Sequence, residues 1–331
     1  MIRTFLAAAL LLSGASVCAA DSPSASPAMA PSEIVAAAPA SAWVAIAPAD
    51  LLVMDLAPDR SRAAPRRVVI QLMPAPFSQG WIGNIRKLAA AHWWDGLSVN
   101  RVQDNYVVQW GDADGEDKAK ARSLPAGLAV TGEADYVVPV PRVLLATPDG
   151  QRRDPPLLPE PLRWVAGVAP RADAYAPAVG FTRSGWPAGS DGASLWPLHC
   201  YGAVGVGRNL SPDAGTGAEL YAVIGHAPRH LDRNIAVVGR VIEGIEHLSS
   251  LPRGTAALGF YDKPAGRVRI TAIRPGTEVS GLPAYQALDT GSASFAAYAE
   301  ARANRRDAFF IRPAGGADIC NIPVPVRRAP R

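Results

Sequence analysis

Apolar residues in this chain recur mostly in short runs broken by proline and glycine, and only rarely at helical spacing. The run at 68–72 predicts a strand, stopped by Pro74 and Pro76. Ser78 suits an N-cap, and Trp81, Ile82, Ile85, Leu88, Ala89 and His92 then recur at helical spacing. This predicts a helix with one buried stripe and His92 in the core or at its boundary. Strand spacing returns at 97–102 and 106–111, then at 201–207, 220–224, 235–238 and 268–273. A short helix is predicted at 244–251 and a last amphipathic helix at 295–310. Short strands, irregular loops and few helices together point to a mainly β protein, a closed β-barrel.

The pattern fails between residues 113 and 199, where Pro155, Pro156, Pro159 and Pro161 interrupt short apolar runs. So long a stretch should not be structureless in a compact domain, so it reads as an ordered insertion with short strands of its own. The ends differ in composition. Arg3, an apolar run at 5–12 and small residues up to Ala20 read as a secretory signal peptide, residues 1–20, cleaved near Ala20. It is too short to span a membrane. A lipid anchor at Cys18 is disfavoured by the bulky Val17 before it. Residues 21–42 are Ala, Pro and Ser with hardly any charge, which suits a flexible linker. An N-terminal extension (43–65) with strands at 43–46 and 51–54, a main unit (66–274) carrying the insertion, and a C-terminal extension with a helix (275–331) complete the division.

With 331 residues, 49% hydrophobic, the chain can bury one large core or two modest ones. The net charge of +4 comes with scattered arginine doublets, a solvated surface rather than a nucleic-acid footprint. No other run approaches membrane-spanning length. Once the leader is gone, Cys200 and Cys320 remain; in an oxidising compartment they are a candidate disulfide, the alternative being two buried thiols. The glycines at 202, 205 and 207 precede a polar loop, not a helix, which argues against a dinucleotide site. His226 and His230 lie on a proline-containing loop without a third ligand and read as surface histidines, so neither metal nor cofactor is expected.

Leu97, Val99 and Arg101 fall on one face at strand spacing, which sets a guanidinium among apolar neighbours. Arginine is seldom fully buried without a partner. Alone, this would read as an ion pair or a snorkelling side chain. Five residues on, however, comes Tyr106-Val107-Val108-Gln109-Trp110-Gly111-Asp112. The stretch resembles the cyclophilin-type peptidyl-prolyl isomerase signature, Phe-His-Arg-Val followed by Phe-Met-x-Gln-Gly-Gly-Asp. Residues 219–225, 227–232 and 237–244 resemble, in family order, Ser-Gln-Phe-Phe-Ile, Leu-Asp-Gly and Val-Phe-Gly-Arg-Val-x-x-Gly; residues 202–208 resemble the family's Met-Ala-Arg strand.

The resemblance implies a closed, mainly antiparallel cyclophilin barrel with two capping helices. It implies Arg101 as the catalytic arginine and Gln109 as the glutamine that holds substrate backbone and orients it. Tyr106, Val107, Tyr221 and Leu231 match the walls of the proline pocket, with His230 where some members have Trp. Gly207 and Arg208 match the stretch that binds the extended peptide. Departures are Asn100 for His, Val107 for Met, Glu219 for Gln, Tyr221 for Phe and Val238 for Phe, with Arg229 an apparent one-residue insertion. With Tyr106 also standing for Phe, two hydroxyls enter the pocket and need partners if buried. The expectation is an exported, periplasmic, monomeric isomerase acting on proline-containing unfolded or folding polypeptides. The alternatives are a cyclophilin-fold chaperone with little isomerase activity and a redox protein using the two cysteines.

Overall fold

The computed structural model describes residues 28–59, 65–139 and 173–330. The proposed leader, the first part of the linker and the middle of the insertion lie outside these residues. Strands β1 (Trp43–Ile46), β2 (Leu51–Leu56) and β3 (Arg66–Leu72) come first, after helix α1 (Pro31–Ala36). Helix α2 (Gln79–Ala90) leads to β4 (Ser98–Val102) and β5 (Val107–Gly111). The insertion contributes β6 (Val138–Pro139), β7 (Ala178–Phe181), β8 (Pro187–Ser190) and β9 (Ser194–Pro197). There follow β10 (Ala203–Val206), β11 (Leu220–Val223), β12 (Val237–Glu243), α3 (Glu246–Ser249), β13 (Val268–Pro275), β14 (Tyr285–Leu288), α4 (Ala293–Ala303) and β15 (Val326–Arg328).

Eight antiparallel strands close in the order β10-β11-β5-β4-β13-β2-β3-β12. Closure leaves no sheet edge to pair elsewhere. Met54, Val68, Ile70, Val99, Val108, Trp110, Val206 and Ile270 belong to its buried core. Helix α2 lays Trp81, Ile82, Ile85 and Leu88 onto that core, and α3 adds Leu248.

Several expectations change. The run at 51–54 is a barrel strand, not part of an extension: β2 lies between β13 and β3 and is buried almost throughout. The described part of the linker is not a plain flexible tether: Pro31 opens α1, whose Ile34 and Val35 pack into a second core. Ser78 does not cap α2, because its left-handed backbone sends Oγ to the Val237 carbonyl, 2.8 Å away. His92 is exposed at φ 54°, past the helix end, since the chain turns there to bury Trp93 and Trp94 instead. The last helix starts at Ala293, capped by Ser292 Oγ, and ends at Ala303.

The second core joins segments that the sequence separates. Trp43 of β1, Phe181 and Trp196 of the insertion, Phe295 and Tyr298 of α4, and Ile319 and Ile322 pack together. The β1-β14-β15 sheet and the β6-β9-β8-β7 sheet flank it. A disulfide between Cys200 and Cys320, Cα atoms 5.0 Å apart, ties the start of β10 to the C-terminal segment. Arg240 of β12 completes the junction. Its guanidinium donates to Gln71 Oε1 and, at 2.7 Å, to the Gly185 carbonyl, and stacks on Trp186.

Candidate functional site

A row of residues crosses four barrel strands on the outer face. Arg101 of β4 is opposite Gln109 of β5, Gln109 is opposite Tyr221 of β11, and Tyr221 is opposite Gly205 of β10. Directly opposed residues place their side chains on the same face of a sheet. Arg101 reaches that face through a bulge: Val99 pairs with Trp110 and Arg101 with Gln109, so Asn100 is the extra residue. Val99 therefore stays in the core while Arg101 turns to the site. The expectation that the two share a face is thus overturned, because a bulge breaks the alternation of side chains.

Arg101 Nη1 donates to Gln109 Oε1 at 3.1 Å, Nε to the Leu258 carbonyl at 2.7 Å, and Nη2 to Gln103 Oε1. Its guanidinium also stands over the rings of Tyr106 (5.8 Å) and Phe260 (5.4 Å). Every hydrogen-bond acceptor it uses is neutral, and no carboxylate pairs with it among the described residues. Burial lowers its pKa, yet an arginine stays charged far above physiological pH. The result is a partly buried cation in fixed orientation, its charge not neutralised and two of its five N–H donors uncommitted.

Tyr106 stacks on His230 at 6.2 Å, and His230 is exposed, as is His226. Leu231 packs against the barrel core. Val107 is two residues from Gln109 on β5 and opposite Val223; all of these lie on the strands that carry the row. Tyr221 is buried, and a Cβ on residue 205 would overlap its hydroxyl, so Gly205 makes room for that oxygen.

The hydroxyl is not left unpaired. Tyr221 Oη lies 2.9 Å from His199 Nε2, and His199 Nδ1 lies 2.9 Å from Asp232 Oδ1. Asp232 Oδ2 accepts from Arg229 Nε at 2.5 Å, and Arg229 Nη1 and Nη2 reach Asp173 at 3.0 and 3.1 Å. Burial pushes the Tyr221 phenol well above its usual range, so it is a neutral donor. His199 Nδ1 then donates to the carboxylate and Nε2 accepts from the phenol. The sequence hinted at this chain only through the Tyr221 hydroxyl, the inserted Arg229 and the motif position of Asp232; His199 and Asp173 carried no signal, because they meet the others only in the fold.

Beside Gln109 a cavity of about 410 Å³ opens, lined by Asn100, Gln109, Gly207, Arg208, Glu219 and Phe260 among others. Helix α2 and the turn after it fix its walls. Trp81 Nε1 and Trp94 Nε1 hold the carbonyls of Gly215 (2.9 Å) and Ala218 (2.8 Å), while Trp93 Nε1 holds that of Ser123 (3.0 Å). Glu219 Oε1 accepts the Asp112 N–H at 2.6 Å, and burial raises the carboxyl pKa to about 7. Its Oε2 and Asn100 Oδ1 are buried acceptors without a partner at good hydrogen-bond geometry, although the Gln109 and Asn100 side chains lie close enough to favour the charged carboxylate.

A family model described as cyclophilin type peptidyl-prolyl cis-trans isomerase/CLD matches residues 67–274. The crystal structure of the cyclophilin AquaCyp293 from Hirschia baltica superposes with a TM-score of 0.61 at 19% identity, covering 87% of this chain and 95% of that one. That likeness shows a shared fold reaching beyond the segment the family model matches. A cyclophilin type peptidyl-prolyl cis-trans isomerase from Cryptosporidium parvum aligns at 11% identity and a TM-score of 0.36, over 68% of this chain and 96% of that one. None of the curated proteins matches the sequence.

Proposed function

Since the chain belongs to the cyclophilin-type peptidyl-prolyl cis-trans isomerases, we propose that it isomerises Xaa-Pro bonds of exported, folding polypeptides, with Arg101 stabilising the twisted amide. Amide resonance sets a barrier of ~18–20 kcal/mol, and unassisted exchange takes on the order of tens to hundreds of seconds. At the top of that barrier the proline nitrogen is pyramidal and regains a lone pair. A fixed cationic donor aimed at it favours this state over the planar one. No nucleophile, base or metal is needed.

The observation that carries the reading is the setting of Arg101, held by three neutral acceptors with charge and donors to spare. Arg240 too bonds only neutral acceptors, so what sets Arg101 apart is its place in the row with Gln109 and Tyr221, beside Tyr106. Gln109 keeps the guanidinium in place, Tyr106, Val107, Tyr221 and Leu231 form the apolar pocket for the proline ring, with His230 beside Tyr106, and Gly207 and Arg208 bind the extended peptide. Export to the periplasm rests on the leader-like residues 1–20, and a disulfide-linked second core suits an oxidising compartment. We take the enzyme to act as a monomer.

A protease-coupled assay on an Xaa-Pro peptide tests the catalytic assignment. Arg101→Ala should lower kcat/KM by roughly 100- to 1,000-fold, the usual loss for one preorganised donor. If wild type and Arg101→Ala are equally inactive while both still bind unfolded polypeptide, the chaperone reading takes its place.

A further inference from the structure

We propose that the cavity beside Gln109 is a specificity pocket for a cationic side chain, lysine or arginine, carried by the same polypeptide within a few residues of the isomerised proline. Glu219 and Asn100 would recognise it. The inference rests on the isomerase reading only in calling the ligand a substrate.

The cavity asks for a donor. Asn100 is 5% exposed, and neither its Oδ1 nor Glu219 Oε2 on the same wall has a partner at good hydrogen-bond geometry; the Gln109 and Asn100 amides nearby favour the carboxylate without neutralising it. Buried acceptors without donors are costly and uncommon in native proteins. Both residues are departures from the family pattern quoted above, His to Asn and Gln to Glu; the second replaces an amide that donates and accepts by a carboxylate that, ionised, only accepts. The seat is also shaped around the carboxylate: a Cβ on residue 111 would overlap the Glu219 carboxyl group, and one on residue 207 would come within 2.9 Å of Glu219 Cβ.

Charge points the same way. Asp112, Glu116 and Asp213 also line the cavity. Two arginines share the lining, Arg122 on the carbonyls of Trp93 (2.7 Å) and Asp95 (2.9 Å) and Arg208 on those of Asn209 (2.6 Å) and Asn234 (3.0 Å). Asp112, Glu116, Asp213 and Glu219 thus face two guanidinium groups, and the lining keeps an acidic excess. The acidic excess favours an ammonium or guanidinium group, which can pair with the Glu219 carboxylate. Gln109 belongs to both the Arg101 row and the cavity wall, so one extended peptide spans the two at about 3.3–3.6 Å per residue. The raised pKa of Glu219 fits a carboxylate that lacks its counter-ion.

The test uses Xaa-Pro peptides with lysine, norleucine or glutamine placed in turn at each of the three positions on either side of the proline. For each peptide kcat/KM and, separately, Kd by fluorescence anisotropy are measured with wild type and Glu219→Gln. At one position lysine should beat norleucine and glutamine by roughly tenfold in Kd, with kcat/KM moving in parallel, and Glu219→Gln should bring those ratios close to one. Thermal melts confirm that the isosteric variant folds. If wild type turns the peptides over with no position preferring lysine, the pocket inference falls and the isomerase reading stands. If glutamine serves as well as lysine, or the preference survives Glu219→Gln, the inference falls too. If wild type turns none of the peptides over yet binds the lysine peptide tighter in a Glu219-dependent way, the isomerase reading falls and the pocket stands.

Discussion

Tyr221 Oη and His199 Nε2 lie 2.9 Å apart inside the protein, where the Tyr221 side chain, placed beside Gln109 on the sheet face, meets a fully buried imidazole. Through Asp232 and Arg229 the contact extends to Asp173, so the segment before β7 is joined to the proposed proline pocket by charge-assisted hydrogen bonds. An unpaired phenol here would cost stability. The barrel instead uses it to link its outer face to the second core.

Tyr221→Phe removes the donor and leaves His199 Nε2 buried and unpaired, which should cost about 1–3 kcal/mol. His199→Leu leaves both the phenol and Asp232 short of a partner and should cost at least as much. Because each change breaks the same bond, the double variant should lose clearly less than the sum, by about 1 kcal/mol or more. Urea denaturation of the four proteins measures the cycle. Strict additivity would show that the bond adds nothing to stability.

Gln109 holds Arg101 Nη1 from the neighbouring strand. Gln109→Leu keeps the bulk and removes the acceptor, leaving the guanidinium held by the Leu258 carbonyl and Gln103 Oε1. A donor displaced by a fraction of an ångström loses much of its effect on the twisted amide, so kcat/KM should fall on the order of 10- to 100-fold. The loss should appear mostly in kcat if Gln109 acts by orienting the arginine. A loss confined to KM would mark it as a substrate contact alone.

Glu219 should make stability depend on pH in a direction unusual for a carboxylate. Burial raises its pKa from 4.5 to about 7 in the folded protein. Between these values the folded state binds more protons than the unfolded one, so this contribution to stability falls as pH rises, by roughly 3 kcal/mol at most. It is fully present below about pH 4.5 and gone above about pH 7. Glu219→Gln cannot titrate, so the difference in stability between variant and wild type should grow in favour of the variant from pH 5 to pH 8. Urea midpoints across that range, at constant ionic strength, are the check; a difference that stays flat would mean the carboxyl titrates normally.

The Cys200–Cys320 disulfide closes a loop across 120 residues of sequence. Such a cross-link limits the unfolded chain most when the loop is long, and removing a native one typically costs about 2–5 kcal/mol. Cys200→Ser/Cys320→Ser should therefore lower the unfolding midpoint while isomerase activity at low temperature persists, since neither sulfur belongs to the Arg101 row. Thiol titration of the native protein should find Cys200 and Cys320 unreactive. Ready exchange with a small dithiol, with activity following the redox state, would revive the redox reading.

Much of the barrel was legible because its signals are local. The short apolar runs of β3, β5 and β11, the helical stripe of α2, and the order of motifs around Arg101, Gln109 and Tyr221 each occupy a few consecutive residues. Those motifs placed Arg101 and Gln109 as partners, and the structure sets them 3.1 Å apart. The bulge at Asn100 was hidden, since an extra residue shows only when a partner strand fixes the register. For the same reason the run at 51–54 resembled an extension until β13 and β3 closed on it.

By itself, then, the sequence determined the β character, the closed barrel and, of the arginine row, Arg101, Gln109 and Tyr221, because periodicity and short motifs are properties of neighbouring positions. The tertiary structure alone decided that the first segment, the insertion and the C-terminal segment share one core, that His199, Asp232, Arg229 and Asp173 form one chain behind Tyr221, and that Asn100 and Glu219 meet across a cavity. Each of these joins residues far apart along the chain. Only burial, which makes an unpaired hydroxyl or carboxylate costly, reveals which distant group must meet it.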